Sequence, residues 1–517
     1  MIKKLWIDNT EPPKDHVWCK TSETGKQLGI YENKYGKWIK KDIGESSTSS
    51  GEDWDKINQL AYGIEWQEIQ NTSDCKRIGN MEYHKTLPCH QWKGCVANAE
   101  VINYYLDPTD WSKKADGTPS VLDGTDGTVR TEVNKFYYKS WSFKENANIT
   151  NRVMVSPTKI DDTWYEFPHI LVDSFYATLD RTDTNNIKAV SVINKTIPFR
   201  GYSNKQQVAI YDANIDTDPR LSDLGKPVTG LSLIEMSNYA KANDSEVFCY
   251  DFYKMLIYWM PCIEYATLEF RKDFNPELTE EGYHQGGLSK GCFWFNNSSW
   301  WTNASNGYTR NSCRTPNGFT NEFGNGSGVK KLFTTGETIN TDKTVPEDIL
   351  AVRYRGIENP WGDVGYILEG ILDGDCIKKT SDPAKFTNNI ADMDEYIEAK
   401  AQNQDVPVIY GFDVSNSCEI FGKTLTSANG APSKIFALYN QETEDNSTPI
   451  IQMEVTYNNT TPLVFSSGGA AGAGAAGGPA FLSVCEFGLD GSSVTYGFRT
   501  VSRIDGSSKN LQIRATS

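Results

Sequence analysis

The part of the sequence that says most about the fold is Arg353-Tyr354-Arg355-Gly356-Ile357-Glu358-Asn359-Pro360-Trp361-Gly362. Arg353 and Arg355 alternate in the way that residues on one face of a strand do. Each guanidinium is a planar, bidentate donor, which suits a carboxylate such as that of Glu358. This half of the stretch therefore predicts a strand whose arginines serve ion pairs, which is a structural role and not a catalytic one.

The second half of the same stretch contains residues that shape a turn. Gly356 supplies a positive φ, which other residues rarely adopt, and Pro360 biases Asn359 towards extended backbone. Trp361 is interpreted as an anchor in the hydrophobic core. With the two arginines and Glu358, these residues form a predicted structural motif.

Composition limits the class of protein. The chain has 517 residues, of which 12% are aromatic, and that much aromatic surface can close a core, so a disordered chain is excluded. Lys and Arg total 51 against 67 Asp and Glu, a net charge of −16 that repels phosphates, and we expect no nucleic-acid partner. No apolar run approaches the roughly 20 residues of a membrane helix, and residues 1–6 lack the features of a signal peptide, so we expect no membrane partner and synthesis in a cytoplasm.

The sequence predicts two domains joined by a linker. Residues 1–43 indicate a small β module that buries too little to be stable alone. Residues 44–54 form a linker rich in Gly, Ser and acidic side chains. The remaining chain, 55–517, is predicted to be one large domain with long loops after residue 286.

Local patterns within the large domain predict both strands and helices. Ser232 and Glu235 have the spacing of a capping box, so a helix should start at Leu233. Apolar residues at helical spacing predict a core helix over 251–267, which Pro261 should kink or end. Strands are predicted over 163–167 and 170–172. We therefore expect an α+β fold.

Five thiol and imidazole side chains lie within 21 residues and raise the question of a metal site; they are Cys75, His84, Cys89, His90 and Cys95. Their spacings match no usual zinc cage, so buried thiols or a Cys75–Cys95 pair are the favoured interpretations. An acidic loop also lacks the glycine and glutamate of a calcium loop; its members are Asp212, Asp216, Asp218 and Asp223. We predict no metal and no cofactor.

No pattern in the sequence indicates catalysis. The five histidines accompany no G-x-S-x-G or H-E-x-x-H motif, and the phosphate-binding loop pattern is absent. We predict that the protein is not an enzyme.

One aromatic segment is a candidate ligand-binding site; its members are Trp294, Asn297, Trp300, Trp301 and Asn303. Tryptophan rings can stack on sugar faces while amides bind hydroxyl groups, or the same side chains can fill a protein interface. The alternative is that the rings are core plugs beneath a long loop.

Several stretches together resemble a known family, and they are Tyr62–Trp66, Ile78–Asn80, Glu264–Ala266, Leu278–Leu288 and Arg353–Gly362. The chain resembles fibre proteins of phages and prophages from gut Bacteroidales hosts, some of which are targets of diversity-generating retroelements. The resemblance covers roughly residues 55 to 505, and 353–362 is its most specific part. Residues 1–43 resemble the virion-anchoring heads on fibres of crAss-like phages.

This resemblance implies a C-type-lectin-like domain, akin to formylglycine-generating enzymes, after a small N-terminal β module. It implies a structural virion protein, a head or tail fibre subunit, on the exposed virion surface and made in the host cytoplasm. The alternative function is a dedicated receptor-binding protein for host capsular glycan. The implied partners are other virion proteins, held through residues 1–43, further copies of the chain in a dimer or trimer, and host surface glycan.

The chain departs from the family near its end. Retroelement targets present a diversified set of polar and aromatic residues there, whereas 468–478 contains only Gly and Ala. Such a segment cannot supply side-chain anchors for a ligand, and we predict that it packs against another virion subunit or a second copy. No reactive Cys pair matches the oxidase members, so the resemblance does not imply an enzyme.

Overall fold

The fold is taken from a computed structural model of the full chain. The structure describes residues 54–67, 74–145, 148–201, 220, 222, 224–268, 270–271, 274–275, 277–289, 291–292, 302–303, 308–309, 315–339, 343–345, 348–373, 492 and 496–504. Within 1–53 and 376–484 it describes only the residues of strands. The chain divides into two compact units, Met1–Trp54 and Asp55–Ser517.

The first unit contains a four-stranded sheet in the order β1-β2-β3-β4. Its strands are Lys4–Asp8 (β1), His16–Thr21 (β2), Gln27–Lys34 (β3) and Lys37–Lys41 (β4). The β1–β2 pair is parallel, and the β2–β3 and β3–β4 pairs are antiparallel. The predicted β content of 1–43 is confirmed, while the predicted linker at 44–54 lies almost wholly outside the described residues.

Most of the described strand pairs in the second unit are antiparallel. Strands β5 to β16 are Tyr62–Gln67, Lys76–Gly79, Lys93–Asn98, Val101–Tyr105, Thr128–Val133, Phe136–Glu145, Asn148–Ser156, Tyr165–Phe167, Ile170–Asp173, Thr178–Asp180, Lys188–Val190 and Glu246–Val247. β12 and β13 confirm the strands predicted over 163–167 and 170–172. One sheet has the order β12-β10-β11-β5-β6.

Nine of the later strands form one large sheet, and others form short ribbons. Strands β17 to β24 are Thr302–Asn303, Tyr308–Thr309, Gly328–Phe333, Thr338–Ile339, Lys343–Thr344, Ile349–Tyr354, Ile357–Glu358 and Gly365–Asp373. Strands β25 to β33 are Cys376–Lys379, Ile397–Ala401, Cys418–Ile420, Leu425–Ser427, Gln452–Val455, Leu463–Ser467, Leu482–Val484, Tyr496–Gly497 and Thr500–Arg503. A six-stranded sheet has the order β16-β33-β13-β9-β7-β8, and β19-β22-β23 form a three-stranded sheet.

The described helices are short, and four are α-helical: Trp54–Leu60 (α1), Leu233–Lys241 (α2), Tyr250–Tyr253 (α3) and Met260–Tyr265 (α4). The capping box predicted at the start of α2 is confirmed, because Ser232 and Glu235 exchange both hydrogen bonds. The helix predicted over 251–267 is also present, but Pro261 does not end it. A π-helical segment, Lys254–Trp259, precedes the proline, and α4 continues past it. Proline is tolerated there because it occupies the first turn of α4.

The core lies around this continuous helical segment, which is buried on nearly every side. Trp66 and Trp259 stack at 5.4 Å, and Trp361 is fully buried, so its predicted role as a core anchor is confirmed. The described residues thus form a mixed α+β structure. Among them, no helix has the length and apolar character to cross a membrane.

Candidate functional site

The aromatic segment predicted to bind a ligand lies outside the described residues at Trp294, Asn297, Trp300 and Trp301. Asn303 is described by its backbone alone, in β17, where it pairs with Tyr308. The acidic loop from Asp212 to Asp223 and the Gly/Ala segment 468–478 also lie outside the described residues. The structure therefore bears only on the predicted structural motif and on the thiol and imidazole residues.

Glu358, within the decapeptide Arg353–Gly362, accepts three hydrogen bonds from one loop. Its carboxylate accepts from the backbone of Gly318 at 2.8 Å and of Thr320 at 2.7 Å, and from Thr320 Oγ1 at 2.6 Å. Since neutral donors occupy both oxygens, the carboxylate holds the 315–328 loop against β22 and β23. We call these residues and Arg353 the Glu358 network.

Arg353 lies opposite Glu358 in the β22–β23 register, but its guanidinium donates hydrogen bonds to other residues. Its Nε donates to the Gly324 carbonyl at 2.7 Å and its Nη1 to Thr320 Oγ1 at 3.2 Å, while its guanidinium lies 3.8 Å from the centre of the Trp111 ring. No bidentate ion pair with Glu358 is among the described hydrogen bonds. Burial lowers the pKa of Arg353 to about 10 and raises the pKa of Glu358.

Two backbone predictions for the decapeptide have different outcomes. Gly356 has φ +87°, so the predicted positive φ is confirmed. The extended conformation predicted for Asn359 is wrong, because its φ is +44°. Asn359 is held there by Val352, whose N–H donates to its Oδ1 at 3.0 Å and whose carbonyl accepts its N–H at 2.6 Å. Asparagine tolerates this left-handed region better than most residues.

Arg355 also departs from the prediction. β22 ends at Tyr354 and Arg355 has φ +48°, so the two arginines do not share one face of a strand. The Arg355 guanidinium forms an ion pair with Glu264, a fully buried residue of α4. The decapeptide therefore contributes to two separate polar centres.

Glu264 is the centre of a second group of side chains, which we call the Glu264 cluster: Cys89, His90, Glu264, His284, Tyr354 and Arg355. Cys89 and His90 come from the 3₁₀ helix Pro88–Gln91. The Tyr354 hydroxyl donates to Glu264 Oε2 at 2.8 Å, and Cys89 Sγ lies 3.4 Å from the same oxygen. The cluster thereby joins three segments that are far apart in sequence.

Two imidazoles approach the other oxygen of the same carboxylate. Nε2 of His90 lies 3.2 Å and Nε2 of His284 lies 3.0 Å from Glu264 Oε1. Arg77 also links two members of this arrangement, because it donates to the backbone carbonyls of Glu264 and His284, both at 3.1 Å. Both histidines keep some exposure, about 15% of each side chain, whereas Glu264 has none.

The charge of the Glu264 cluster is set by its ion pair. Arg355 and the two imidazoles hold the pKa of Glu264 well below its ordinary value, against a burial effect that would raise it. The carboxylate in turn raises the pKa of Arg355. Burial first, and then the adjoining carboxylate, raise the pKa of the Cys89 thiol. The thiol is therefore protonated at neutral pH and is not a ready nucleophile.

His84 lies beside the cluster and is almost completely buried, at 1% exposure. Its ring lies 5.9 Å from those of His90 and His284, centre to centre. Neither of its nitrogens has a hydrogen-bond partner among the described residues. Burial, together with nearby positive charge, lowers its pKa to about 3, so the ring is neutral.

The cysteine predictions can now be compared with the structure. Cys75, Cys89 and Cys95 are thiols and form no disulfide, so the predicted Cys75–Cys95 pair is wrong. Cys89 and Cys95 are buried, as predicted, whereas Cys75 is half-buried. Burial raises the pKa of Cys95 to about 12.

Glu264, His284 and the inward-facing Arg355 were not predicted as members of a site. The sequence contained one usable signal, an acidic residue within an otherwise apolar helical stretch, which requires a cationic partner when buried. The cluster offers a protonated thiol, two imidazoles and an ionised carboxylate. Cys89, His90 and Glu264 are the members whose ligand atoms could hold a metal ion.

Comparisons with known proteins give no match: no protein-family model, no curated protein and no solved structure corresponds to the chain.

Proposed function

We propose that the chain is a structural virion protein, a head or tail fibre subunit whose body has a C-type-lectin-like fold. The observation that carries the proposal is the Glu358 network. In it, the most specific stretch of the family resemblance turns its side chains inward and fastens a long loop through Gly318 and Thr320. Residues used in this way stabilise a loop-rich scaffold and leave none of the motif free for chemistry.

The Glu264 cluster supports the same interpretation. Its carboxylate is already neutralised by Arg355, and its thiol is protonated because burial raises the thiol pKa. A nucleophilic enzyme requires a thiolate or an activated base with room for substrate. A buried ion pair that joins distant segments fits a scaffold better than a catalytic centre.

Purified phage particles provide the direct test. Mass spectrometry should detect the chain at stoichiometric copy number, and cryo-electron microscopy should place it on the exposed surface of the particle. Intact, infectious particles that lack the chain would overturn the proposal. A location beside the capsid or beside the tail would decide between a head fibre and a tail fibre.

Residues 1–43 are proposed as the attachment module, since they are too small to form a stable core alone. Particles assembled with a chain that begins at Trp54 should lack the fibre, while that shortened chain should still fold and form a homo-oligomer. Full occupancy of the shortened chain on particles would contradict the proposed role of the module. The double substitution Ala473→Asp and Ala475→Asp tests the proposed packing of the Gly/Ala segment, because it should disrupt assembly and leave the body folded.

A second candidate function, recognition of host capsular glycan, rests on the sequence from Trp294 to Asn303. Binding of residues 55–517 to a glycan array should disappear in the Trp300→Ala and Trp301→Ala variants. Tyr105→Ala is the matched control, because Tyr105 is an exposed aromatic residue elsewhere in the domain. Absence of binding to host polysaccharide would count against this candidate and leave the scaffold proposal intact.

A further inference from the structure

We propose that Cys89, His90 and Glu264 form a binding site for a single divalent transition-metal ion, of which zinc fits best. Their ligand atoms, one from each residue, all lie within 4.8 Å of one another. A thiolate, an imidazole and a carboxylate together are a donor set that zinc accepts and that calcium and magnesium do not. This proposal concerns a site that is independent of whether the chain is a fibre subunit.

The separations between the donors agree with tetrahedral coordination. Ligands at usual zinc bond lengths stand about 3.3 to 3.5 Å apart across a tetrahedral angle. Here His90 Nε2 is 3.2 Å from Glu264 Oε1, and Cys89 Sγ is 3.4 Å from the other oxygen, Oε2. Each of these two separations is near the spacing that an ion bound to the carboxylate would impose.

The orientation of His90 is that of a metal ligand. Its Nδ1 lies 3.2 Å from the Lys85 carbonyl oxygen, which can only accept, so Nδ1 carries a proton. Ligating histidines characteristically donate their second ring N–H to a carbonyl or carboxylate in this way. In a neutral His90 ring, the Nε2 lone pair therefore points to the side on which Cys89 and Glu264 lie.

This tautomer leaves an unfavourable contact that a cation would remove. In a neutral ring with the proton on Nδ1, Nε2 faces Glu264 Oε1 at 3.2 Å as a second acceptor, so the contact is favourable only when Nε2 binds a proton or a metal ion. The contact with His284 has the same character. Its Nε2 lies 2.8 Å from Arg355 Nη2, which can only donate, and 3.0 Å from Glu264 Oε1. A metal ion between acceptor atoms converts such repulsion into coordination.

The buried imidazoles nearby give a second, independent observation. Both nitrogens of His84 and Nδ1 of His284 are buried without a hydrogen-bond partner among the described residues. A buried polar atom left in this way is unfavourable and is usual only where a ligand or ordered water completes the site. The rings that carry these unsatisfied nitrogens lie next to the proposed ligands, since the His84 ring is 5.9 Å and the His284 ring 5.4 Å from that of His90, centre to centre.

Arg355 is the natural competitor of the metal ion. It is paired with Glu264 and with His284 Nε2, so an ion that takes these acceptors must displace part of its contacts. We therefore infer that Arg355→Met tightens metal binding about tenfold, while loss of a ligand weakens it. His284, released from Arg355, is the fourth ligand available to the ion.

The test uses the full chain, stripped with a chelator and titrated with Co²⁺ as a spectroscopic probe and with Zn²⁺ for stoichiometry. We expect one equivalent of metal, with a thiolate-to-cobalt absorption band and intense visible bands of tetrahedral cobalt. Uptake should release a proton, since the Cys89 thiol must ionise to bind.

Variants make the assignment specific. Cys89→Ser should remove the thiolate band, and Cys89→Ser and His90→Gln should each weaken binding by more than the roughly 10- to 100-fold that follows loss of a group that only orients a ligand. Cys95→Ser is the matched control, because it removes another buried free thiol and should leave both readouts unchanged. Binding below one equivalent, or a thiolate band that survives in Cys89→Ser, would overturn the proposal. Circular dichroism of each variant, recorded without metal, shows whether it is folded.

Discussion

Arg353 and Arg355 stand two residues apart, yet the polar centres that they enter differ in almost every respect. In the Glu358 network, neutral donors occupy the carboxylate, and burial raises the pKa of Glu358. In the Glu264 cluster, a guanidinium and two imidazoles crowd one carboxylate, and the pKa of Glu264 is lowered. In the first centre both carboxylate oxygens accept hydrogen bonds from neutral donors, whereas the second contains competing charged and titratable groups that a ligand could rearrange.

This difference shows that burial alone does not distinguish a structural network from a ligand-binding site. Glu264 and Glu358 are both almost inaccessible, at 0% and 2% exposure. What separates them is the chemistry of their partners, since backbone N–H groups cannot change charge and imidazoles can. Four predictions test this distinction, in order of decreasing expected effect.

The largest effect is expected for Arg353→Met. The substitution removes the donors to the Gly324 carbonyl and to Thr320 Oγ1 and leaves the buried Glu358 carboxylate without its nearby positive charge, and an uncompensated buried charge costs about 3–5 kcal/mol. Chemical denaturation followed by tryptophan fluorescence should show this loss in the free energy of unfolding. Lys330→Met is the control, because its exposed pair with Glu322 is expected to contribute no more than about 1 kcal/mol. A loss in Arg353→Met as small as that of the control would mean that the Glu358 network stabilises the protein no more than an exposed ion pair does.

A smaller loss, about 2–3 kcal/mol, is expected for Arg355→Met in metal-free protein. Glu264 then still has the Tyr354 hydroxyl as a donor, and Nε2 of His90 and Nε2 of His284 remain 3.2 Å and 3.0 Å from its Oε1. The measurement is the same denaturation experiment. A loss equal to that of Arg353→Met would mean that the Glu264 cluster is as rigid a scaffold as the Glu358 network.

Much of the local structure could be predicted from sequence because it depends on neighbouring residues. The capping box of Ser232 and Glu235, the core position of Trp361 and the positive φ of Gly356 each follow from a few adjacent side chains. Asn359 was mispredicted because the preference set by Pro360 is weak beside two hydrogen bonds to Val352.

The candidate site could be predicted only in part, since its members are brought together by contacts over long separations in sequence. Cys89 and His90 were two of five residues considered for a metal site, which was then not predicted, and the carboxylate that lies beside them is 174 residues away from His90. Arg355 was assigned to Glu358 because that carboxylate is close in sequence, and the left-handed backbone at Arg355 turns it towards Glu264 instead. Neither fact is visible in local spacing.

Acid should affect the two carboxylates with opposite sign. The pKa of Glu264 is lowered from its ordinary 4.5, so its contribution is present above pH 4.5 and is lost as pH falls through the folded-state pKa. The pKa of Glu358 is raised, so its contribution is present at low pH and is lost as pH rises above 4.5. Each carboxylate changes the free energy of unfolding by at most about 1.4 kcal/mol per pH unit.

Denaturation of metal-free protein between pH 3 and pH 6 checks this difference. Glu264→Gln should flatten the decline in stability towards acid, whereas Glu358→Gln should steepen it. Burial lowers the pKa of His84 to about 3, so His84 adds to the acid decline in both variants, and loss of the Glu264 charge in Glu264→Gln lowers that pKa further. Equal slopes in the two variants would contradict the opposite pKa shifts.

The smallest effect, about 1–2 kcal/mol, is expected for Gly356→Ala, at the residue between Arg355 and the Glu358 network. With φ at +87°, an alanine is strained, and its Cβ would also stand 3.1 Å from Thr131 Oγ1 and 3.3 Å from the Trp111 ring. Gly336→Ala is a matched control, since Gly336 has φ +82° and no atom within 4 Å of an added Cβ. Denaturation should show a larger loss at Gly356 than at Gly336. Because Trp111 also stacks on Arg353, the excess should shrink in the Arg353→Met background, where the ring is free to move. Equal losses at the two glycines would mean that the positive φ alone determines the loss at Gly356. The residues of the Glu358 network would then accommodate the added Cβ without a further loss in the free energy of unfolding.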